Sequence, residues 1–237
     1  MRHIISKESP FRHMPKDMPR RQILYFDALR CSAEMAGLAF ERLHDLLVLL
    51  SREGEDQPSD KAIRALADAY SVIDSAHRFR ELLRVTPNLK HNTAFSLFMK
   101  QTQDIKHLRN IVQHLHREVD RIAQEHLPAL GVLTWLGPSA APGGPPTAFI
   151  LKAGTNHQGQ QIHGPMADHL LSFPPGEIGE VCLATAGRKV NLSKLVDHLR
   201  TIITSLELPL HKAAADKERF GSDDIVISIG TQITVRP

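Results

Sequence analysis

The sequence lacks the features that mark several common protein classes. Aromatic residues make up 5% of its 237 positions, too few for an extensive stacking surface for single-stranded nucleic acid. The two cysteines, Cys31 and Cys182, lie far apart and form no metal-ligand pair, which favours a reducing compartment. No run approaches the roughly 18 apolar residues of a membrane span, and the amino terminus has no continuous apolar core. We therefore expect a soluble, cytoplasmic protein with no membrane partner.

The remaining composition is that of an ordinary globular chain, 42% hydrophobic and 23% charged. A chain of this length can bury a sizeable core. Its net charge of +3 comes from one half, because residues 1–127 contain 20 Lys and Arg against 17 Asp and Glu, whereas residues 128–237 contain 9 of each. An excess this small does not establish nucleic-acid binding. It does direct attention to the first half.

Apolar spacing predicts three helices in residues 20–127, after an arm at residues 1–19 that we expect to be flexible. The first spans about residues 21–51, and the second runs from Ser59 or Asp60 to the Thr86–Asn88 stop. The third, at about 93–126, carries a seven-residue apolar repeat that is typical of a long helix packed in a bundle. The predicted buried positions are Leu24, Ala28, Cys31, Met35, Leu38, Leu43, Leu46, Leu47 and Leu50 in the first helix, Ile63, Leu66, Tyr70, Ile73 and Leu83 in the second, and Phe98, Ile105, Leu108, Val112, Leu115, Val119 and Ile122 in the third.

From Pro128 onward the pattern changes to short β-branched runs bounded by Gly and Pro. These predict strands at about 131–136, 148–153, 180–185 and 225–235. One amphipathic helix, Leu192–Leu206, follows a candidate cap at Asn191. The sequence therefore predicts an α+β protein, in which an antiparallel helical bundle precedes a small antiparallel sheet with one packed helix. The role of residues 128–237, and whether the halves are separate domains, stay open.

One polar stripe lies opposite the apolar seam of the third helix. It contains Gln103, His107, Asn110, His114, Arg117 and Arg121, with Arg109 between the stripe and the seam. Imidazoles exchange protons near neutral pH and guanidiniums hold phosphates, so this face could bind a phosphate backbone. A solvated helix face with no function is the alternative reading of the same pattern.

Within that stripe, Arg109, Asn110 and His114 form an Arg-Asn-x-x-x-His motif. The motif resembles the signature of HEPN domains, a helical family common in prokaryotic toxins and antiviral nucleases. The resemblance covers roughly residues 20–127 and does not extend to the β half. It implies a metal-independent endoribonuclease without a cofactor, acting as a toxin or phage-defence effector, with a cognate antitoxin as a possible partner.

The resemblance also implies a role for each motif residue. Arg109 would stabilise the scissile phosphate, and His114 would act as general acid or base while the 2′-OH attacks. Asn110 would orient the phosphate or His114. His107, Arg117 and Arg121 would bind the RNA. About 140° of helix rotation separates Arg109 from His114, so the two do not converge easily on one phosphate. A homodimer through the third helix, which the family also uses, would supply the missing group.

Two other functions stay open from the sequence. One is a HEPN-like module that binds a nucleotide or partner without catalysis, and the other is a structural helical dimer in which the motif is coincidental. Asp74 and His77 have helical spacing and predict a surface hydrogen bond or a supporting role near the motif. His157, His163 and His169 lie in a loop-like region without the acidic or cysteine pattern of a zinc site, so we predict no metal.

Overall fold

The computed structural model describes residues 4–53, 59–89, 92–124, 128–138, 146–154 and 177–220. Five helices precede the sheet: α1 (Arg20–Glu53), α2 (Ser59–Val85), α3 (Thr93–Gln101), α4 (Gln103–Gln113) and α5 (Leu115–Gln124). The strands are β1 (Val132–Gly137), β2 (Thr147–Lys152), β3 (Cys182–Thr185) and β4 (Arg188–Asn191), and α6 (Leu192–Ala214) is the last of the described elements. The predicted α+β class is thereby confirmed.

The described strands form an antiparallel sheet with the order β2-β1-β3-β4. Three predicted strands are present within a few residues of the expected limits, and the fourth, at 225–235, lies outside the described residues. The sequence prediction missed β4, because its four residues are mostly polar. Asn191 caps α6 as predicted, its side chain accepting a hydrogen bond from the Lys194 amide.

Helix α6 continues to Ala214, beyond the predicted end at Leu206. Pro209 lies inside it, where it removes one backbone hydrogen bond. Leu210 and Ala214 beyond the proline are buried, and this burial stabilises the added turns.

One hydrophobic core contains side chains from both halves of the chain. Helix α6 lies in this core, in contact with α1, α2 and α3 as well as with β3 and β4. Several long-range hydrogen bonds also join the halves, two of them near β1. The Tyr70 hydroxyl donates to the Leu130 carbonyl at 2.8 Å, and the Trp135 indole donates to the Ser51 hydroxyl at 2.8 Å.

The amino-terminal segment packs instead of forming the flexible arm that its sequence suggested. Residues Pro10–Arg12 make a 3-10 turn that contacts α1 and α6. Ile5, Phe11 and Met14 are buried in the core, and the Phe11 ring meets Phe26 edge to face. Burying these apolar side chains offsets the entropy lost by ordering the segment.

The buried face of α1 differs from the predicted one. Leu43, Leu47 and Leu50 are buried as expected, but Leu24, Cys31, Met35 and Leu38 are exposed. The core face is lined instead by Phe26, Leu29, Ala33, Ala36, Ala39 and Phe40. Alanines on this face meet Ala65, Ala69 and Ala76 in the same core, because small side chains allow α1 and α2 to approach closely. Ile63 of α2, also predicted to be buried, is exposed.

The predicted third helix is broken into α3, α4 and α5, so the expectation of one long helix is wrong. The first break is at Thr102, whose buried hydroxyl donates to the Phe98 carbonyl at 2.7 Å. The backbone leaves helical geometry at this residue, with φ −106° and ψ 14°. The apolar seam is correspondingly incomplete, since Phe98, Ile105, Leu108 and Ile122 are buried whereas Val119 is exposed.

Gly131, just before β1, lies close against the end of β3, so its replacement should destabilise the sheet. Its φ is +72°, and an added Cβ would lie 2.2 Å from the Ala184 carbonyl oxygen. We expect Gly131→Ala to lower the free energy of unfolding by about 3 kcal/mol, combining left-handed strain with steric overlap. Urea denaturation measures this loss. Gly154→Ala is the control, because Gly154 has φ +115° but no neighbour within 4 Å. Equal losses in the two variants would contradict the role of the overlap.

Candidate functional site

Helix α4 lies between α2 on one side and β4 on the other. Ile105, Leu108 and Ile111 are its buried residues, and they fix its rotation about its own axis. At about 100° per residue, Arg109 lies roughly 100° to one side of this buried stripe and His107 lies roughly 100° to the other. Arg109, predicted to lie between the polar stripe and the apolar seam, therefore emerges on a different surface from His107.

His114 occupies the break between α4 and α5. It is the C-terminal cap of α4, and its amide donates to the Asn110 carbonyl at 2.9 Å. Beyond it, α5 turns so that Ile122 packs with Ile111 and Ala186 in a small separate apolar cluster. The change of direction buries Ile122 and places the exposed His114 side chain at the corner between two helices.

The first of the two surfaces is a cleft of about 300 Å³ between α4, α5 and the start of β4, which we call the α4–β4 cleft. It brings together five of the six predicted site residues. Its lining consists of His107, Asn110, Ile111, His114, Arg117, Glu118, Arg121 and Arg188. The predicted grouping of His107, Asn110, His114, Arg117 and Arg121 on one surface is therefore what the structure has, although the helix that carries them is broken.

The charges of the α4–β4 cleft are unbalanced. Arg121 pairs with Glu118 at 2.8 Å. The other two arginines, Arg117 and Arg188, are exposed and have no carboxylate partner among the residues that the structure describes. Two unpaired guanidiniums beside two imidazoles make a surface suited to an anion.

Arg188 is the lining residue that sequence reasoning missed. It follows the β3–β4 turn, where Ala186 and Gly187 both have positive φ, at 45° and 70°. Two adjacent left-handed residues are typical of a tight antiparallel hairpin. The sequence signal was the glycine that follows the short apolar run at 182–186, which could have indicated a hairpin ending in Arg188.

The second surface is a cleft of about 580 Å³ between α2 and α4, which we call the α2–α4 cleft. It contains Arg109, together with Asp74 and His77 of α2. Arg109 Nε lies 2.9 Å from Asp74 Oδ1. Asp74 therefore pairs with Arg109, whereas the sequence predicted a hydrogen bond with His77 or a supporting role near the motif. The structure thus separates Arg109 from Asn110 and His114 within one chain.

Burial and the neighbouring Arg109 guanidinium lower the pKa of His77 below its usual value. Glu81, in the same cleft, raises the pKa of His77, but its effect is weaker than that of burial or of Arg109. The imidazole of His77 is therefore biased toward its neutral form, in which one ring nitrogen donates and the other accepts a hydrogen bond.

Neither a metal centre nor a membrane segment is evident in the part of the chain that the structure describes. No group of three or more His, Cys, Asp or Glu side chains there could hold a metal ion. None of its helices combines the length and apolar character needed to cross a membrane. His157, His163 and His169 lie outside the described residues.

Comparisons with known proteins leave the site to be interpreted from its own geometry. No family model matches the chain, and neither a curated protein nor a solved structure is significantly similar to it.

The Arg109–Asp74 pair gives a direct test of the α2–α4 cleft. We expect Arg109→Gln to raise the pKa of His77, because the cation that opposes protonation is lost and Asp74 is left without its guanidinium. An NMR titration of the histidine ring protons, assigned with His77→Gln, measures the change. His198 is the internal control, since burial lowers its pKa without any contribution from Arg109. An unchanged pKa of His77 would contradict the contact.

Proposed function

We propose that this chain is a metal-independent endoribonuclease of the HEPN type, acting in the cytoplasm. The observation that supports the proposal is the α4–β4 cleft, where His107, Asn110, His114, Arg117 and Arg121 meet. Two imidazoles provide proton transfer, and the guanidiniums provide phosphate binding, so one concave surface contains both parts of RNA cleavage.

The proposed reaction needs only groups that RNA and the protein supply. His114 removes the proton from a ribose 2′-OH, and the resulting oxygen attacks the adjacent phosphorus. The bond from phosphorus to the 5′-oxygen of the next nucleotide breaks, leaving a 2′,3′-cyclic phosphate. That 5′-oxygen takes up a proton as it leaves, for which His107 is the second imidazole of the cleft. Arg117 stabilises the negative charge that develops on the phosphate oxygens.

Arg109 enters this reaction from a second copy of the chain. In one chain it lines the α2–α4 cleft and pairs with Asp74, away from His114. In a homodimer formed through α4 and α5, the partner's Arg109 would meet the α4–β4 cleft. The proposal is therefore a site built in trans, with Asn110 orienting the phosphate or His114.

The same separation favours a second candidate function. If Arg109 acts only in its ion pair with Asp74, the α4–β4 cleft is a nucleotide- or RNA-binding surface without catalysis. The two functions differ in whether bound RNA is cut.

Incubation of the purified protein with RNA in EDTA separates them. We expect cleavage to a 2′,3′-cyclic phosphate, and we expect His114→Ala to reduce its rate by at least about 100-fold through loss of proton transfer. The matched control is His116→Ala, because His116 is also exposed and its ring lies 6.3 Å from that of His114, yet it does not line the cleft. Binding without cleavage would support the second candidate, and equal loss in the two variants would contradict the assignment of His114.

A further inference from the structure

The β3–β4 turn brings a basic side chain of the β half to the α4–β4 cleft. We infer that this side chain, Arg188, pairs with Arg117 across the cleft to bind a phosphate group. The β half thereby supplies part of the binding surface. That the ligand is RNA rests on the function proposed above, whereas binding of a phosphate anion does not.

The first support is electrostatic. Arg117 and Arg188 belong to different halves of the chain, yet both line one cleft of about 300 Å³. Neither has a carboxylate partner in the described ranges, and the one acidic side chain lining the cleft, Glu118, pairs with Arg121. Two like charges that face the same space repel each other, and an anion between them removes that repulsion. A phosphate fits because each guanidinium can donate two parallel hydrogen bonds to its oxygens.

The second support is the way in which the turn is held. Ala186 is fully buried and packs with Ile111 of α4 and Ile122 of α5. Its φ of 45° is unfavourable for a residue with a Cβ and persists only where the surroundings fix the backbone. Ala186 is thus anchored to the two helices that carry His107, His114 and Arg117. Arg188, two residues later, is held near them by the same contact.

The pairing of β4 with β3 fixes the direction in which the chain leaves this turn. Arg188 is opposite Thr185 in the antiparallel register, and Val190 on the same strand is buried in the main core. The guanidinium therefore extends from a strand that is anchored at both ends. Because the backbone is already ordered, binding of an anion costs the protein only the entropy of the side chain itself.

Binding of an uncleavable 2′-O-methyl RNA oligonucleotide in EDTA tests the inference. We expect Arg188→Ala to weaken binding by roughly five- to tenfold and to reduce the slope of log affinity against log salt by about 0.7, the value for one phosphate contact on a single strand. Arg188→Lys should retain the slope, because the charge remains. The matched control is Arg64→Ala, which removes one exposed arginine of α2 outside both clefts and should change neither quantity.

A second measurement separates this inference from the proposed function. Inorganic pyrophosphate should raise the melting temperature of the wild-type and Arg64→Ala proteins, and the increase should be lost in Arg188→Ala. Stabilisation by pyrophosphate without RNA binding would overturn the ribonuclease proposal and leave the phosphate-binding pair standing. RNA binding that responds identically to Arg188→Ala and Arg64→Ala would overturn the pair alone. A protein that responds to neither anion would overturn both.

Discussion

The burial of Ile105, Leu108 and Ile111 fixes the rotation of α4, and the candidate site depends on that rotation. With these three residues in the interior, Arg109 must emerge toward α2, and His107 and His114 must emerge toward the sheet. Each side then meets different neighbours, an acidic residue of α2 on one and a basic strand on the other. One helix thereby contributes to two clefts, of which the α2–α4 cleft pairs Arg109 with a carboxylate and the α4–β4 cleft leaves Arg117 and Arg188 without one among the described residues.

The break at His114 adds the second constraint. The backbone at His114 leaves helical geometry, with φ −115° and ψ 33°, so α5 departs from the axis of α4, and Ile122 packs in the cluster with Ile111 and Ala186. That departure opens a corner where Arg117 and Arg121 face the same cleft as Asn110. The β half takes part through the same apolar contact, since Ala186 both anchors the turn and places Arg188 at the cleft. The contact that holds the β3–β4 turn against α4 and α5 therefore also assembles the cleft.

Much of the fold and half of the site follow from sequence periodicity. A 3.6-residue period is enough to group His107, Asn110 and His114 on one face, and that grouping is independent of where the helix breaks. The break at Thr102 is a departure from helical dihedral angles at one residue, which the apolar pattern does not encode. Helix α1 has two apolar stripes. The stripe that contains the alanines is buried because it allows close approach to α2, a contact that the pattern of α1 alone does not show. Arg188 reaches the cleft through strand pairing, and a helical pattern carries no information on that contact.

We propose that Arg109 and His114 work together only across two copies of the chain. Arg109→Ala and His114→Ala proteins, each inactive alone, can be unfolded together and refolded as a mixture. Random pairing makes about half of the dimers mixed, and each mixed dimer has one intact site, so roughly a quarter of wild-type RNA cleavage should return. Differential tags confirm that mixed dimers have formed. Activity that stays at background in their presence would contradict the claim.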